Sequence, residues 1–186
     1  MKAFRFAMLA LAAMGCAVAQ DVPPPPRPKD EGPSLEVTMK FLQEKLPGQV
    51  NYIVYFHDDV VGTDCTNKRS QGVSNVAADA GRCHVGYHLR YIREGETLAD
   101  NDLGIPLKEV QDIVVMPLEQ SLKAANAKNG HPEWSSRVDP PVFLLLPKGW
   151  SRGGGFLFDD ETLSHRVAKA LQHAVELCGG GNQEPF

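Results

Sequence analysis

The stretch that decides the fold is residues 140–178, PPVFLLLPKGWSRGGGFLFDDETLSHRVAKALQHAVELC. Its apolar run at 142–146 predicts a strand covered on both faces, and residues 156–158 predict a short strand after a glycine-rich turn. Asp159 or Asp160 can cap a helix that runs to Cys178, because apolar residues recur along one face up to three consecutive glycines. The stretch therefore predicts two strands joined by a hairpin turn and a closing amphipathic helix.

Alternating side chains predict further strands before this ending. Residues 82–92 (RCHVGYHLRYI) alternate most clearly, so that Cys83 and every second residue after it would face the core. The polar residues 62–72 predict a loop. Similar patterns predict strands at residues 50–56, 73–78, 97–107 and 110–116.

Two more helices complete the predicted architecture, at residues 34–46 and 117–128. In the first, Val37 and Phe41 lie opposite the main apolar stripe, where they would meet a second neighbour or mark a contact surface. The predicted fold class is α+β. It has an N-terminal helix, about five to seven mostly antiparallel strands in a bent sheet or partly open barrel, and a long C-terminal helix packed on it.

This order of elements resembles a pleckstrin-homology-like barrel. The resemblance covers about residues 50–178 and rests on the order of its elements: strands ending in residues 106–113 (PLKEVQDI), the strand pair VFLLL and GGFLF, and the closing helix. The helix at residue 34 and the insertion at 117–139 are additions to the barrel pattern, so a different α+β sheet is the alternative. It implies that the last helix plugs the open end of a bent seven-stranded sheet. The C-terminal half is also similar to uncharacterised exported bacterial proteins, and neither resemblance implies a functional residue.

The N-terminus predicts export. A basic head, an apolar run at 7–15 and Ala17-Val18-Ala19 are typical of a signal peptide over residues 1–19. As an alternative, Cys16 would be lipidated within a lipobox-like Ala-Met-Gly-Cys. A proline-rich linker at 20–33, one α+β domain at 34–181 and a tail at 182–186 would follow. The predicted location is periplasmic or extracellular, with lipid anchoring as the alternative.

Charge narrows the classes of partner. The net charge is −4, and loss of the leader's two basic residues would make it −6. An acidic chain without a basic run argues against nucleic acid and against electrostatic binding to anionic lipid. Membrane contact would then come only through lipidated Cys16. We expect an unidentified protein or small-molecule ligand and no cofactor.

Three cysteines would remain after cleavage, and an oxidising compartment favours a disulfide. Cys83 and Cys178 both lie on core-facing patterns, which favours a bond between them. A bond between Cys65 and Cys83 is the alternative.

Two patterns suggest chemistry. Gly149 to Gly153 reads G-x-S-x-G around Ser151, but three glycines and a strand follow where a nucleophile elbow needs a helix. His57, Asp58 and Asp59 with Asp64 at a strand end could hold a divalent metal, with His84 or His88 as further ligands. Polar residues also gather where strands turn.

Trp134, Trp150 and Arg152 lie in predicted loops with His131, and such residues are enriched at interfaces. The leading interpretation is an exported, non-enzymatic binding or envelope-associated module of unknown ligand. One alternative is a small exported metal-dependent enzyme or hydrolase that uses His57, Asp58 and Asp59. A lipid-anchored structural envelope protein is the other.

Overall fold

The structure is a computed structural model that describes residues 32–149 and 155–181. The chain divides into two units, Met1–Glu31 and Gly32–Phe186, and the elements below belong to the second unit. The predicted signal peptide with Cys16, most of the linker, the tail, and the loop residues Trp150, Ser151 and Arg152 lie outside the described residues. None of the helices described is both long and apolar enough to cross a membrane.

The predicted α+β class is confirmed, with three α-helices and eight strands among the described residues. Both sheets are antiparallel throughout, as the short hairpin spacing predicts. In chain order the elements are α1 (Leu35–Lys45), β1 (Gly48–Asp58), β2 (Thr63–Asp79), β3 (His84–Arg93), β4 (Glu96–Pro106), a 3-10 turn (Leu107–Glu109), β5 (Asp112–Pro117), α2 (Leu118–Lys128), β6 (Trp134–Asp139), β7 (Phe143–Lys148), β8 (Phe156–Phe158) and α3 (Glu161–Leu177).

Five strands form the larger sheet, in the order β4-β3-β2-β1-β6. β1 pairs with β2 from Gly48 opposite Val73 to Asp58 opposite Thr63. The loop predicted at residues 62–72 is therefore wrong, because most of this polar stretch is strand. A strand with one solvated face needs only backbone pairing, so it can carry polar residues without an apolar run.

The smaller sheet has the order β5-β7-β8 and is covered on both faces. Leu145 packs in the core beneath α3, whereas Leu144 packs against β1 and α2. This two-sided burial confirms the expectation from the continuous apolar run. The side chain of Gln71 on β2 links the sheets, since it accepts from the Leu157 backbone N–H (2.8 Å) and donates to the Gly155 carbonyl (3.1 Å).

α3 closes the fold, and Asp160 rather than Asp159 caps it, accepting from the Leu163 backbone N–H at 2.9 Å. The predicted Cys83–Cys178 disulfide is confirmed and fastens the end of α3 to the turn before β3. It closes a separation of 95 residues, which corresponds to about 4 to 5 kcal/mol in the chain-entropy model. The bond is consistent with an oxidising, exported location. Cys65 is free and exposed, and it lies on β2 rather than in a loop.

Candidate functional site

The predicted His57 cluster lies where β1 turns into β2. His57 Nδ1 lies 2.7 Å from an Asp64 carboxylate oxygen, and its Nε2 lies 3.5 Å from Asp59. The hydrogen bond to Asp64, helped by the nearby carboxylates, raises the pKa of His57 above its ordinary value. Both ring nitrogens therefore already face carboxylates within the cluster.

Asp58 is occupied in a different way. One carboxylate oxygen accepts from the backbone N–H groups of Val60 (2.9 Å) and Val61 (3.0 Å), and the other accepts from the indole N–H of Trp134 at 3.0 Å. The two backbone N–H groups are the main reason that the pKa of Asp58 is lowered. This carboxylate therefore stabilises the β1–β2 turn.

Metal chemistry at this cluster finds no support in the geometry. No group of three or more histidine, cysteine or carboxylate side chains in residues 32–149 and 155–181 is placed to hold an ion. His88 was considered as a further ligand. In the strand register it lies opposite Ser74 of β2, whereas His57 lies opposite Asp64 of the same strand. The intervening part of β2 is roughly 30 Å long, so the two histidines cannot share an ion. His84 lies further still along β3.

His88 forms a second cluster of the same kind with two aspartates that the sequence pattern did not single out. On the outer face of the larger sheet, its ring nitrogens lie 2.7 Å from Asp100 and 2.9 Å from Asp102, both on β4. The hydrogen bond to Asp102 and then that to Asp100 raise the pKa of His88. Because the carboxylates lie on opposite sides of the ring, the arrangement joins two strands and does not form a chelate.

The glycine-rich stretch joins two antiparallel strands. Phe143 pairs with Phe158 and Leu145 with Phe156, so the chain after the glycines continues as strand β8. A nucleophile elbow needs a helix there, to supply part of its oxyanion hole. Ser151 itself lies outside the described residues.

The tryptophan rim is described only in part. Trp134 begins β6, and its ring stacks on His131 with centroids 4.2 Å apart, in addition to its bond with Asp58. It therefore covers the β1–β2 turn, and its placement in a loop is wrong. Trp150 and Arg152 lie outside the described residues, so their binding role stays a prediction.

A groove between α1 and α3 is the more open candidate site, with a volume of about 410 Å³. Val37, 59% exposed, and the partly buried Phe41 supply its apolar lining from α1, and Ala170 supplies the matching side of α3. The prediction that Val37 and Phe41 meet a second neighbour or mark a contact surface thus describes this groove. Val37 is exposed, whereas Phe41 is partly buried and also packs against the core.

Among the described residues, the ionisable side chains that line the groove are all of basic type. Arg166, Lys169 and His173 project from α3, and no acidic side chain among residues 32–149 and 155–181 lines the groove. The Arg166 guanidinium lies 5.7 Å from the centre of the Phe41 ring. His173 Nε2 lies 2.8 Å from the Pro33 carbonyl oxygen and donates to it, which holds the entry of the chain at one end of the groove.

The sequence pattern places Ala170 on the apolar face of the closing helix and Lys169 and His173 on its exposed side, and it does not single out Arg166. The helical spacing of these four residues could have placed them on one stripe of α3. Nothing in the sequence showed that this stripe would lie beside Val37 and Phe41, because that contact depends on how α1 packs against α3.

The chain matches no family model, no curated protein and no solved structure. The resemblance to pleckstrin-homology-like barrels therefore stays a prediction. The single seven-stranded sheet that it implies is wrong, because the described strands form one five-stranded and one three-stranded sheet.

Proposed function

We propose that this protein is an exported, non-enzymatic binding module whose α1–α3 groove docks an amphipathic, acidic helix of a partner protein. The observation that carries the proposal is an apolar groove in which Arg166 and Lys169 are the charged lining residues of the described chain, although the whole protein has a net charge of −4. Exposed apolar surface rimmed by polar groups is typical of interaction sites. A partner that brings carboxylates beside an apolar stripe would match both features.

The walls of the groove favour a helix as its occupant. Val37 and Phe41 are four residues apart on α1, and Arg166 and Ala170 are four apart on α3, so each helix offers a ridge of side chains. A third helix can lay its own ridge between two such ridges. Its apolar residues would contact Val37, Phe41 and Ala170, and its flanking carboxylates would reach the cations of α3.

Among the described residues no acidic side chain lines the groove, although Glu161 lines an adjoining pocket that Arg166 and Lys169 also line. Glu44 on α1 and Glu176 on α3 are exposed and do not line the groove, and Glu176 accepts from the Gln172 side chain at 2.9 Å. Arg166 and Lys169 have no carboxylate within 4.0 Å among the described residues. Both cations are therefore available to a partner.

The exported location rests on the signal peptide predicted for residues 1–19 and on the disulfide, which needs an oxidising compartment to persist. A lipid on Cys16 would make the same module membrane-anchored. The rival metal-dependent enzyme is less well supported, because His57 and Asp58 are engaged by their own neighbours.

The test is a titration with a synthetic amphipathic helix of about 15 residues, carrying a leucine stripe flanked by glutamates. In NMR spectra of the mature protein, we expect amide shifts centred on Val37, Phe41 and Ala170. Arg166→Gln with Lys169→Gln should weaken binding by about threefold to tenfold, since each exposed charge pair contributes modestly. Lys108→Gln, an exposed cation away from the groove, is the matched control.

Shifts centred on another surface, or equal affinity for the double variant, would reject the groove as the docking site. A peptide with lysines in place of the glutamates should bind more weakly than the acidic one. Equal binding of the two peptides would reject the acidic class of partner.

A further inference from the structure

A second cavity lies on the outer face of the larger sheet, away from α1 and α3. Its volume is about 550 Å³, and it crosses strands β6, β1, β2 and β3 near the β3–β4 turn. Tyr52, Arg69, Gly95 and Pro140 also line it, and strand register places its other lining residues in two rows. Asp139, Ile53 and Lys68 form one row, and Asn51, Ser70 and Ile92 form the other.

The first row places opposite charges on either side of an apolar residue. Ile53 on β1 lies between Asp139 on β6 and Lys68 on β2. Neighbouring strands are about 4.8 Å apart, so the two charged residues have Cα atoms roughly 10 Å apart. Among the described residues, neither side chain has an ion-pair partner within 4.0 Å.

Glu94, in the β3–β4 turn, bonds to the backbone of Lys68 and not to its side-chain ammonium. The Glu94 carboxylate is held by the backbone N–H of Lys68, and the Glu94 N–H in turn donates to the Lys68 carbonyl at 2.8 Å. Glu94 is thus fixed on the backbone of β2 by a reciprocal pair of hydrogen bonds. The long ammonium-bearing side chain of Lys68 is exposed.

The second row adds hydrogen-bonding groups and a further apolar residue. Asn51 can both donate and accept through its amide, and Ser70 can do so through its hydroxyl. Ile92 extends the apolar lining begun by Ile53. A ligand that satisfies this set carries a cation at one end, an anion at the other, and amides and apolar groups between them.

We propose that this cavity binds a short zwitterionic peptide. Its terminal ammonium would pair with Asp139 and its terminal carboxylate with Lys68. An extended chain spans about 3.3 to 3.6 Å per residue, so three residues match the roughly 10 Å between the charged positions. The central side chain of the peptide would rest on Ile53 and its amides would meet Asn51 and Ser70. This site is independent of the α1–α3 groove.

The probe is the free tripeptide alanyl-leucyl-alanine, with its N-acetylated and C-amidated forms as blocked comparisons. In NMR titrations of the mature protein, the free tripeptide should shift the amides of residues 51–53, 68–70 and 139. Each blocked form should bind about threefold to fivefold more weakly, in line with one exposed ion pair. Absence of shifts at these residues, or equal binding of blocked and free peptides, would overturn the proposal.

Charge variants identify which end binds where. Lys68→Gln should abolish the effect of C-amidation and keep that of N-acetylation, and Asp139→Asn should do the opposite. Lys108→Gln and Asp159→Asn, exposed charges elsewhere, should leave both effects intact. If N-acetylation and C-amidation of the tripeptide weakened its binding to Lys68→Gln equally, the pairing of the peptide carboxylate with Lys68 would be overturned. Arg166→Gln should change only the acidic-helix titration, so failure of one site is distinguishable from failure of the other.

Discussion

The β1–β2 turn and the α1–α3 groove are both surface features, but their polar side chains differ in whether they have bonding partners within the described chain. At the turn, His57 faces two carboxylates, and Asp58 accepts three hydrogen bonds, from Val60, Val61 and Trp134. In the groove, Val37 is 59% exposed, and Arg166 and Lys169 have no carboxylate within 4.0 Å in the described chain. The histidine and the aspartates of the turn therefore bond to neighbouring groups of the same chain. The groove instead presents apolar and cationic side chains that a partner could contact.

The largest expected effect is a loss of stability on the side of the molecule that forms the α1–α3 groove, away from the β1–β2 turn. Replacing Cys83 and Cys178 together by alanine removes the bond that fastens α3, one wall of the groove, to the sheet. We expect the free energy of unfolding to fall by about 4 to 5 kcal/mol, measured by chemical denaturation. Cys65→Ala, which changes an exposed free thiol, should stay within about 0.5 kcal/mol. Similar losses in both variants would contradict the structural role of the disulfide.

The next effect is specific to the turn. Asp58→Ala removes the acceptor of two backbone N–H groups and the Trp134 indole, so it should lower the melting temperature more than Asp59→Ala. Because the pKa of Asp58 is lowered in the folded state, its stabilisation is present above the ordinary carboxyl pKa and is lost as the pH falls through the folded value. Melting scans from pH 7 to pH 3 check this. The opposite order of the two variants would show that Asp58 does not hold the turn.

A smaller effect concerns the second histidine cluster. The pKa of His88 is raised by Asp102 and Asp100, so its contribution is fully present below the unfolded histidine pKa of about 6.5. It is lost as the pH rises through the folded value. His88→Gln should therefore destabilise more at pH 6 than at pH 8.5, as measured by urea unfolding. His165→Gln is the matched control, and an equal loss at both pH values for His88→Gln would count against the charged pair.

The smallest expected effect on stability comes from a variant that tests whether Val37 belongs to the docking surface. Val37→Ser changes an exposed side chain and should alter the free energy of unfolding by less than about 0.5 kcal/mol. It should nevertheless weaken binding of the acidic helix, because that helix would cover Val37. Val61→Ser, also exposed but in the β1–β2 turn, should leave binding unchanged. Equal binding by the wild type and Val37→Ser would remove Val37 from the interface.

Local pattern was enough to predict much of the fold. Alternation in residues 82–92 placed Val85, Tyr87 and Leu89 in the core, where they are buried, and it favoured the disulfide through Cys83. The polar half of β2 and the short β6 escaped prediction, because cross-strand pairing rather than composition makes them strands. The closing helix and its aspartate cap were predictable because their signals lie within a few neighbouring residues.

The candidate sites were less accessible to sequence reasoning, because they depend on contacts between distant segments. His57, Asp58 and Asp59 stood out by residue type, but which groups they bond depends on Asp64 and Trp134 across the strands. In the same way, nothing local brings Lys68 and Asp139 to either side of Ile53. Register and helix packing determine these neighbours, and a single sequence gives little information on either.

The most direct test of the central claim, that the groove docks an acidic helix, is an exchange of charge between the two partners. Fluorescence anisotropy would compare the wild type and the variant carrying Arg166→Glu and Lys169→Glu, each titrated with the glutamate-flanked and the lysine-flanked amphipathic peptide. We predict that the wild type prefers the acidic peptide and that the variant prefers the basic one, with both proteins equally stable. If both proteins show the same preference, or neither peptide binds, the groove is not the docking site described here.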